Sequence, residues 1–193
     1  MTLAADSVYL VRHGETAWSI TGQHTGRSDL ALTSRGEEQA RMLGPRLKGL
    51  RFDHVLSSPL QRALRTCELA GYIGTATLDP ELAEWDYGDY EGRTSVEIHR
   101  ERPEWELFCD GCPGGESVLQ ITRRVDRVVS RLRVLDGNTL IFSSGHVLRV
   151  LATRWIDASA ALGRYLALDP ACVCVLGHDH EHTVSVIRLW NQR

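Results

Sequence analysis

Apolar positions along this chain switch between a strand period and a helix period. Residues 8–11 form a short unbroken apolar run closed by Arg12-His13-Gly14, the pattern of a buried strand that ends in a loop. The spacing then lengthens. Ala40, Leu43, Leu47 and Leu50 recur at helical intervals behind Thr33 or Ser34, and Ser34 with Glu37 has capping-box spacing. Residues 54–57 return to a strand. Ser58, Pro59 and Gln61 then carry the N-cap, first-position and reciprocal-partner signals of a second helix, with Leu60, Ala63, Leu64 and Cys67 on its apolar face. A third strand is predicted over 74–78, followed over 79–93 by a polar, aromatic-rich loop longer than a connector needs. A helix over 94–100 and the break Pro113-Gly114-Gly115 lead to a long amphipathic helix marked by Val118, Ile121, Val125, Val128, Leu132 and Leu135. Next come a strand over 139–143, a turn at Ser144-Gly145-His146 and a helix over 147–156. Residues 171–176 and 183–189 read as a strand pair joined by a His-rich tip. Strands alternating with helices predict a three-layer α/β domain, taken as one unit over 1–193.

Composition narrows the partners. The 193 residues are 42% hydrophobic and 24% charged, with 22 Lys+Arg against 25 Asp+Glu for a net charge of −3. A basic block that could track a phosphate backbone is missing, so nucleic acid is not an expected partner. No apolar run approaches the roughly 18 residues of a membrane span, and residues 1–14 lack a signal-peptide pattern, so a cytoplasmic location is expected. The oligomeric state is open, a homo-oligomer included.

Two clusters raise the question of metal. Cys109 and Cys112 have C-x-x-C spacing, and His178, His180 and His182 would share a face of an extended strand. Reduced thiols and solvated hairpin histidines are the preferred readings, with Cys172 and Cys174 packed as small hydrophobes. Neither a metal nor a cofactor is expected.

The candidate chemistry sits at strand ends, where ligands bind in α/β sheets. Arg12-His13-Gly14 closes the first strand, and a second strand-turn unit brings His146 to a helix N-terminus, which favours an anion. Arg62 falls in the first turn of a predicted helix, where a cation forfeits roughly 0.3–1 kcal/mol against the dipole. A bound anion would compensate, because the guanidinium fork matches phosphate oxygens.

The segment Leu10-Val11-Arg12-His13-Gly14-Glu15-Thr16 resembles the signature of the histidine phosphatase superfamily, also called phosphoglycerate-mutase-like. Thr25-Gly26, Leu32-Thr33 with Gly36 and Gln39-Ala40, Ser57-Ser58-Pro59 with Arg62 and Thr66, and Gly145-His146 follow in that family's order. The resemblance implies an α/β/α sandwich on a mostly parallel sheet and phosphoryl transfer through a phosphohistidine. By it, His13 is the nucleophile, Arg12, Arg62 and His146 hold the phosphoryl oxygens, and Glu84 is the proton donor, with Trp85 and Tyr87 beside it to exclude water. Gly14 would let the phosphate approach closely, Thr25 and Gly26 would add a hydroxyl and an N–H, and Gly145 is counted with them. Ser19 stands where the family commonly has asparagine and would reach phosphate only through water.

The segment from Asp86 to Thr94, followed by Glu97-Ile98, is more similar to the short phosphatase branch than to glycolytic mutases. The expected activity is therefore an acid-phosphatase-like phosphomonoesterase acting on small phosphorylated metabolites, with inorganic phosphate as the other expected ligand. A phosphoglycerate mutase is the second reading and a non-catalytic phospho-ligand module the third. Specificity is expected around Trp18, Gln23, Trp85, Tyr87 and Trp105.

Overall fold

Side chains of β1 (Val8–Arg12) divide between two cores, as the two-residue period of a strand requires. Tyr9 and Val11 pack on one face of the sheet, and Val8 and Leu10 on the other. The same division runs through β4 (Thr139–Ser143), where Leu140 and Phe142 oppose Ile141, and through β5 (Val173–Asp179), where Val173 and Val175 oppose Cys174 and Leu176. A sheet buried on both faces needs a helical layer on each. The computed structural model, which describes residues 6–179 and 183–193, has that arrangement.

With β2 (His54–Ser57), β3 (Ala76–Leu78) and β6 (Val184–Gln192), the strands form one six-stranded sheet in the order β3-β2-β4-β1-β5-β6. Neighbours from β3 to β1 pair parallel, β5 pairs antiparallel with β1, and β6 pairs antiparallel with β5. Only β5 runs against the others, so the sheet is mostly parallel. One outer layer holds α2 (Ser34–Leu47) and α3 (Gln61–Leu69), whose Leu43, Leu47 and Cys67 meet Tyr9 and Phe142. The other holds α6 (Val118–Leu132) and α7 (Gly145–Trp155), whose Ile121, Val125, Val147 and Leu151 meet Leu10 and Ile141. Each such buried Val, Leu or Ile contributes roughly 1.5–3 kcal/mol relative to exposure. Three short helices, α1 (Ala17–Thr21), α4 (Ser95–Glu101) and α5 (Leu107–Asp110), lie in the connections.

Several boundaries depart from the sequence pattern. Thr33, not Ser34, caps α2 by accepting from the Gly36 N–H, and Leu50 lies beyond the helix end. Ser58 and Pro59 precede α3, which begins at Gln61 without a side-chain cap of its own. Asp29 Oδ1 instead accepts from the Gln61 N–H at 2.8 Å, a cap supplied from 32 residues away. The expected turn at Gly145-His146 is the first turn of α7, with Ser144 at the N-cap position. Thr94 is the N-cap of α4, and Leu135 lies past the end of α6. The segment 79–93 is less polar in space than in sequence, because Leu82, Trp85, Tyr87 and Tyr90 are buried in the main core. The five cysteines are free thiols, with Cys172 and Cys174 fully buried. His178 lies on β5 against Trp155, whereas His180 and His182 fall outside the described residues.

The parallel register brings the carboxyl ends of β1, β4 and β2 side by side. His13 N–H donates to Ser143 O at 2.9 Å, and Ser58 N–H donates to Phe142 O at 2.9 Å. The candidate residues after these strands therefore converge at one edge of the sheet.

Candidate active site

His13 follows β1 directly and is 4% exposed. Its Nδ1–H donates to the Gly14 carbonyl at 2.7 Å, since a carbonyl can only accept. Nε2 therefore carries the lone pair. Burial, followed by the positive charges of Arg62 and Arg12, holds the imidazole well below its usual titration range, so it is neutral at pH 7. A neutral imidazole with an uncommitted Nε2 is a competent nucleophile toward phosphorus.

Arg12 lines the same cavity as His13. One guanidinium nitrogen donates to Leu168 O, while Nε is buried without a hydrogen-bond partner among the described residues. An unpartnered buried donor beside a nucleophile suits an oxyanion ligand. Gly145 leaves room for it, because a Cβ there would stand 3.3 Å from Arg12 Nε. Ala171 braces the loop from outside: at φ 54° it occupies the left-handed region, and its N–H reaches the carbonyls of Arg12 and His13 at 3.1 and 3.2 Å.

Arg62 is fully buried and is not an open cation. Its fork donates to Ser28 O, Thr25 O and Gly26 O at 2.9 Å each, and Nε approaches Ser144 Oγ at 3.4 Å. These carbonyls offset the unfavourable helix-terminal position, for which a bound anion was the expected compensation. Gly26 also differs from expectation, since its N–H is committed to the Glu91 carboxylate at 2.9 Å. Thr25 and Ser19 line the cavity, although Ser19 Oγ is engaged with the N–H and carbonyl of Thr16 at the start of α1. Gly14 serves packing: a Cβ there would meet Gly36 O of α2 at 2.3 Å.

Glu84 enters from the opposite side, 8% exposed and facing the first turn of α7. Oε1 accepts from the N–H groups of Trp85 and Val147 at 2.9 and 2.8 Å, and Oε2 accepts from the N–H of His146 at 3.0 Å. With a single donor, Oε2 keeps a lone pair for a proton. Arg124 holds the supporting loop from behind, donating to the carbonyls of Glu81, Ala83 and Glu84 and pairing with Glu116 at 2.7 Å. Trp85 is fully buried behind the site, its Nε1–H on Glu116 O, and neither it nor Trp105 is among the cavity-lining residues.

His146 shares a 2.6 Å hydrogen bond between Nδ1 and the Tyr87 hydroxyl. Burial first, then the negative charge of Glu84, pushes the phenol well above its usual range, so Tyr87 keeps its proton in this hydrogen bond. Burial, followed by Arg149, His24 and Arg12, keeps His146 neutral at pH 7. His146 thus lies on the Tyr87 and His24 side of the cavity, while Ser144 takes the place beside Arg62.

The cavity encloses about 220 Å³ and is also lined by Trp18, Gln23, His24, Ser95 and Arg149. His24 and Arg149 are additions to the sequence reading. His146 and Arg149 stand three apart on α7, a spacing that signals a shared face. His24, between Gln23 and Thr25, carries no comparable signal. Its ring lies 4.7 Å from that of Tyr87, and burial lowers its pKa to about 4.

Comparison with known proteins identifies the family. Residues 8–193 match the family model of the histidine phosphatase superfamily, branch 1. An acid phosphatase from Mycobacterium tuberculosis is 41% identical over 175 residues, covering 89% of this chain and 86% of the relative. A probable phosphoglycerate mutase from Erwinia tasmaniensis is 35% identical over 181 residues, covering 89% of this chain and 84% of that protein. A solved structure of an open-reading-frame product from M. tuberculosis superposes with a TM-score of 0.91 at 38% identity, covering 96% and 97% of the two chains. On its fold, its motifs and these matches, the chain belongs to the histidine phosphatase superfamily, branch 1.

Proposed function

We propose that the protein is a phosphomonoesterase that passes the phosphoryl group of a small phosphorylated metabolite to His13 and then to water. His13 Nε2 attacks phosphorus in line with the leaving oxygen, the P–O bond breaks, and Glu84 Oε2 delivers the proton that the departing alkoxide needs. Water then attacks the phosphohistidine, Glu84 takes its proton, and the P–N bond returns its electron pair to His13. Arg12 supplies charge and an unpartnered Nε–H beside His13, the buried Arg62 adds positive charge from behind, and the ring of His146 faces the same cavity. The observation that carries this reading is the 2.7 Å bond from His13 Nδ1–H to Gly14 O, which leaves the other ring nitrogen nucleophilic.

The similar acid phosphatase supports hydrolysis, and the similar mutase defines the competing outcome. A panel of phosphorylated metabolites, assayed with and without a bisphosphorylated primer, separates the two. Release of free phosphate without primer is expected, with turnover lost in His13→Ala. Relocation of the phosphoryl group without release would make the protein a mutase, and wild-type turnover in His13→Ala would refute the covalent route.

A further inference from the structure

After burial itself, Arg62 is the first charge that holds the His13 ring neutral. A fully buried guanidinium needs negative charge close by, yet among the described residues no carboxylate forms an ion pair with it. Its fork meets backbone oxygen instead, with Nη2 donating to Thr25 O and Gly26 O and Nη1 to Ser28 O. The carboxylate of Glu91 holds the other edge of the same segment. Its two oxygens accept from the Gly26 N–H at 2.9 and 3.0 Å, and Oε1 also accepts from the Ser28 N–H at 3.0 Å. Thr25 C=O and Gly26 N–H belong to one peptide unit, so that peptide lies between a carboxylate and a guanidinium and is polarised from both ends. Glu91 in turn forms no ion pair with a cation among the described residues. The backbone on either side of it is already docked: Gly92 N–H donates to His24 O at 2.8 Å, and His24 N–H donates to Arg93 O at 2.9 Å. Gly26 leaves room for the carboxylate, because a Cβ there would stand 2.7 Å from Glu91 Oε2 and 2.5 Å from Trp85 O.

We propose that Glu91 is a positioning residue for transfer to His13: through the peptide joining Thr25 and Gly26 it balances the buried charge of Arg62 and fixes the loop that sets His24 and Thr25 in the cavity wall. This inference rests on the phosphomonoesterase reading and adds to it a residue outside the cavity lining. Without the carboxylate, the peptide loses its anchor on one edge, its carbonyl is free to turn from the fork, and the charge of Arg62 is no longer held where the phosphoryl group needs it.

The test compares the wild type, Glu91→Gln, Arg62→Lys and the double variant, with kcat expressed per folded molecule on an aryl and an alkyl phosphate. Glu91→Gln keeps the shape of the side chain but removes its charge and one acceptor. Its kcat is expected to fall by about tenfold, the scale of a charge-assisted hydrogen bond, with KM changed by less than about twofold. The loss should be equal on the two leaving groups, because Arg62 acts on the phosphoryl group and not on the proton delivered to the leaving oxygen. In the Arg62→Lys background, where one ammonium cannot span the carbonyls that the fork holds, the same change is expected to cost much less. An unchanged kcat per folded molecule would leave Glu91 a stability role alone, and equal losses in both backgrounds would show that it does not act through Arg62; either result overturns the proposal. Should Glu91→Gln not fold, Glu91→Asp, which keeps the charge and draws it back by one methylene, is read against the same outcomes. If the wild type hydrolyses no phosphomonoester, the phosphomonoesterase reading fails by itself, and urea midpoints of the same set decide the coupling: non-additive shifts support it and additive shifts overturn it.

Discussion

At the residue scale, nucleophilic attack depends on which nitrogen of His13 is free and when it is free. Because the folded ring titrates well below its usual value of about 6.5, the nucleophile stays unprotonated as pH falls through mild acid. The acid limb of kcat/KM is therefore expected below pH 6.5 on an aryl phosphate of fixed ionisation, and a limb at or above neutrality would contradict the electrostatics described. Glu84→Gln should lower turnover, with a larger loss on an alkyl than on an aryl phosphate because the poorer leaving group needs the proton more. Arg124 gives a related prediction. It touches no substrate but positions the Glu84 loop through three carbonyls. Arg124→Leu should lower kcat on alkyl phosphates by about tenfold while KM changes little, and the deficit should narrow on aryl phosphates. Equal losses on both leaving groups would assign Arg124 to stability alone. His13, Glu84 and Arg62 were legible as residue types in the chain; their partners were not. Arg62 meets carbonyls 34 to 37 positions away, and the Gly26 N–H meets a carboxylate 65 positions away. Local periodicity contains no trace of such pairings.

At the scale of elements, the loop after β1 and the first turn of α2 touch backbone to backbone. A Cβ on Gly36 would stand 2.1 Å from Glu15 O, and one on Gly14 would stand 2.3 Å from Gly36 O. Gly36→Ala must push α2 away from the loop that carries His13. Overpacking of this kind costs typically 1–3 kcal/mol, so the urea midpoint and kcat should fall together. Unchanged values for both would show that the contact is dispensable. The start of α3 gives a milder case. Asp29→Ala removes the cap on the Gln61 N–H, with an expected loss of about 1 kcal/mol in a denaturant titration. Strand and helix cores were readable from apolar spacing: 54–57 and 139–143 coincide with β2 and β4. The ends were harder to read where the capping group is remote, as at α3, or where a glycine begins a helix, as at α7.

At the scale of the whole molecule, the buried His13 and His24 and the half-buried His146 share one cavity at the carboxyl edge of the sheet, and their lowered pKa values bear on stability. Folded His24 binds its proton only near pH 4, whereas the unfolded residue does so near 6.5. The unfolded state holds more protons between those values, so stability is fully present above about 6.5 and declines as pH falls toward 4. For His24 alone the loss is roughly 3 kcal/mol over that window, and His13 and His146 act in the same direction. Urea midpoints at pH 7 and pH 5 should differ less in His24→Gln than in the wild type; an equal difference would refute the assignment. The α/β class was legible from alternating elements, but the stacking of Arg149 on Phe108 of α5 is seen only in the folded chain. The central claim remains the two-step transfer through His13, and the stereochemical course at phosphorus tests it most directly. With a phosphorothioate monoester made chiral at phosphorus by two oxygen isotopes and hydrolysed in water carrying the third, the thiophosphate released is chiral and each in-line displacement inverts the centre. Two displacements through a phosphohistidine predict net retention, and net inversion would mean that water attacks the substrate directly.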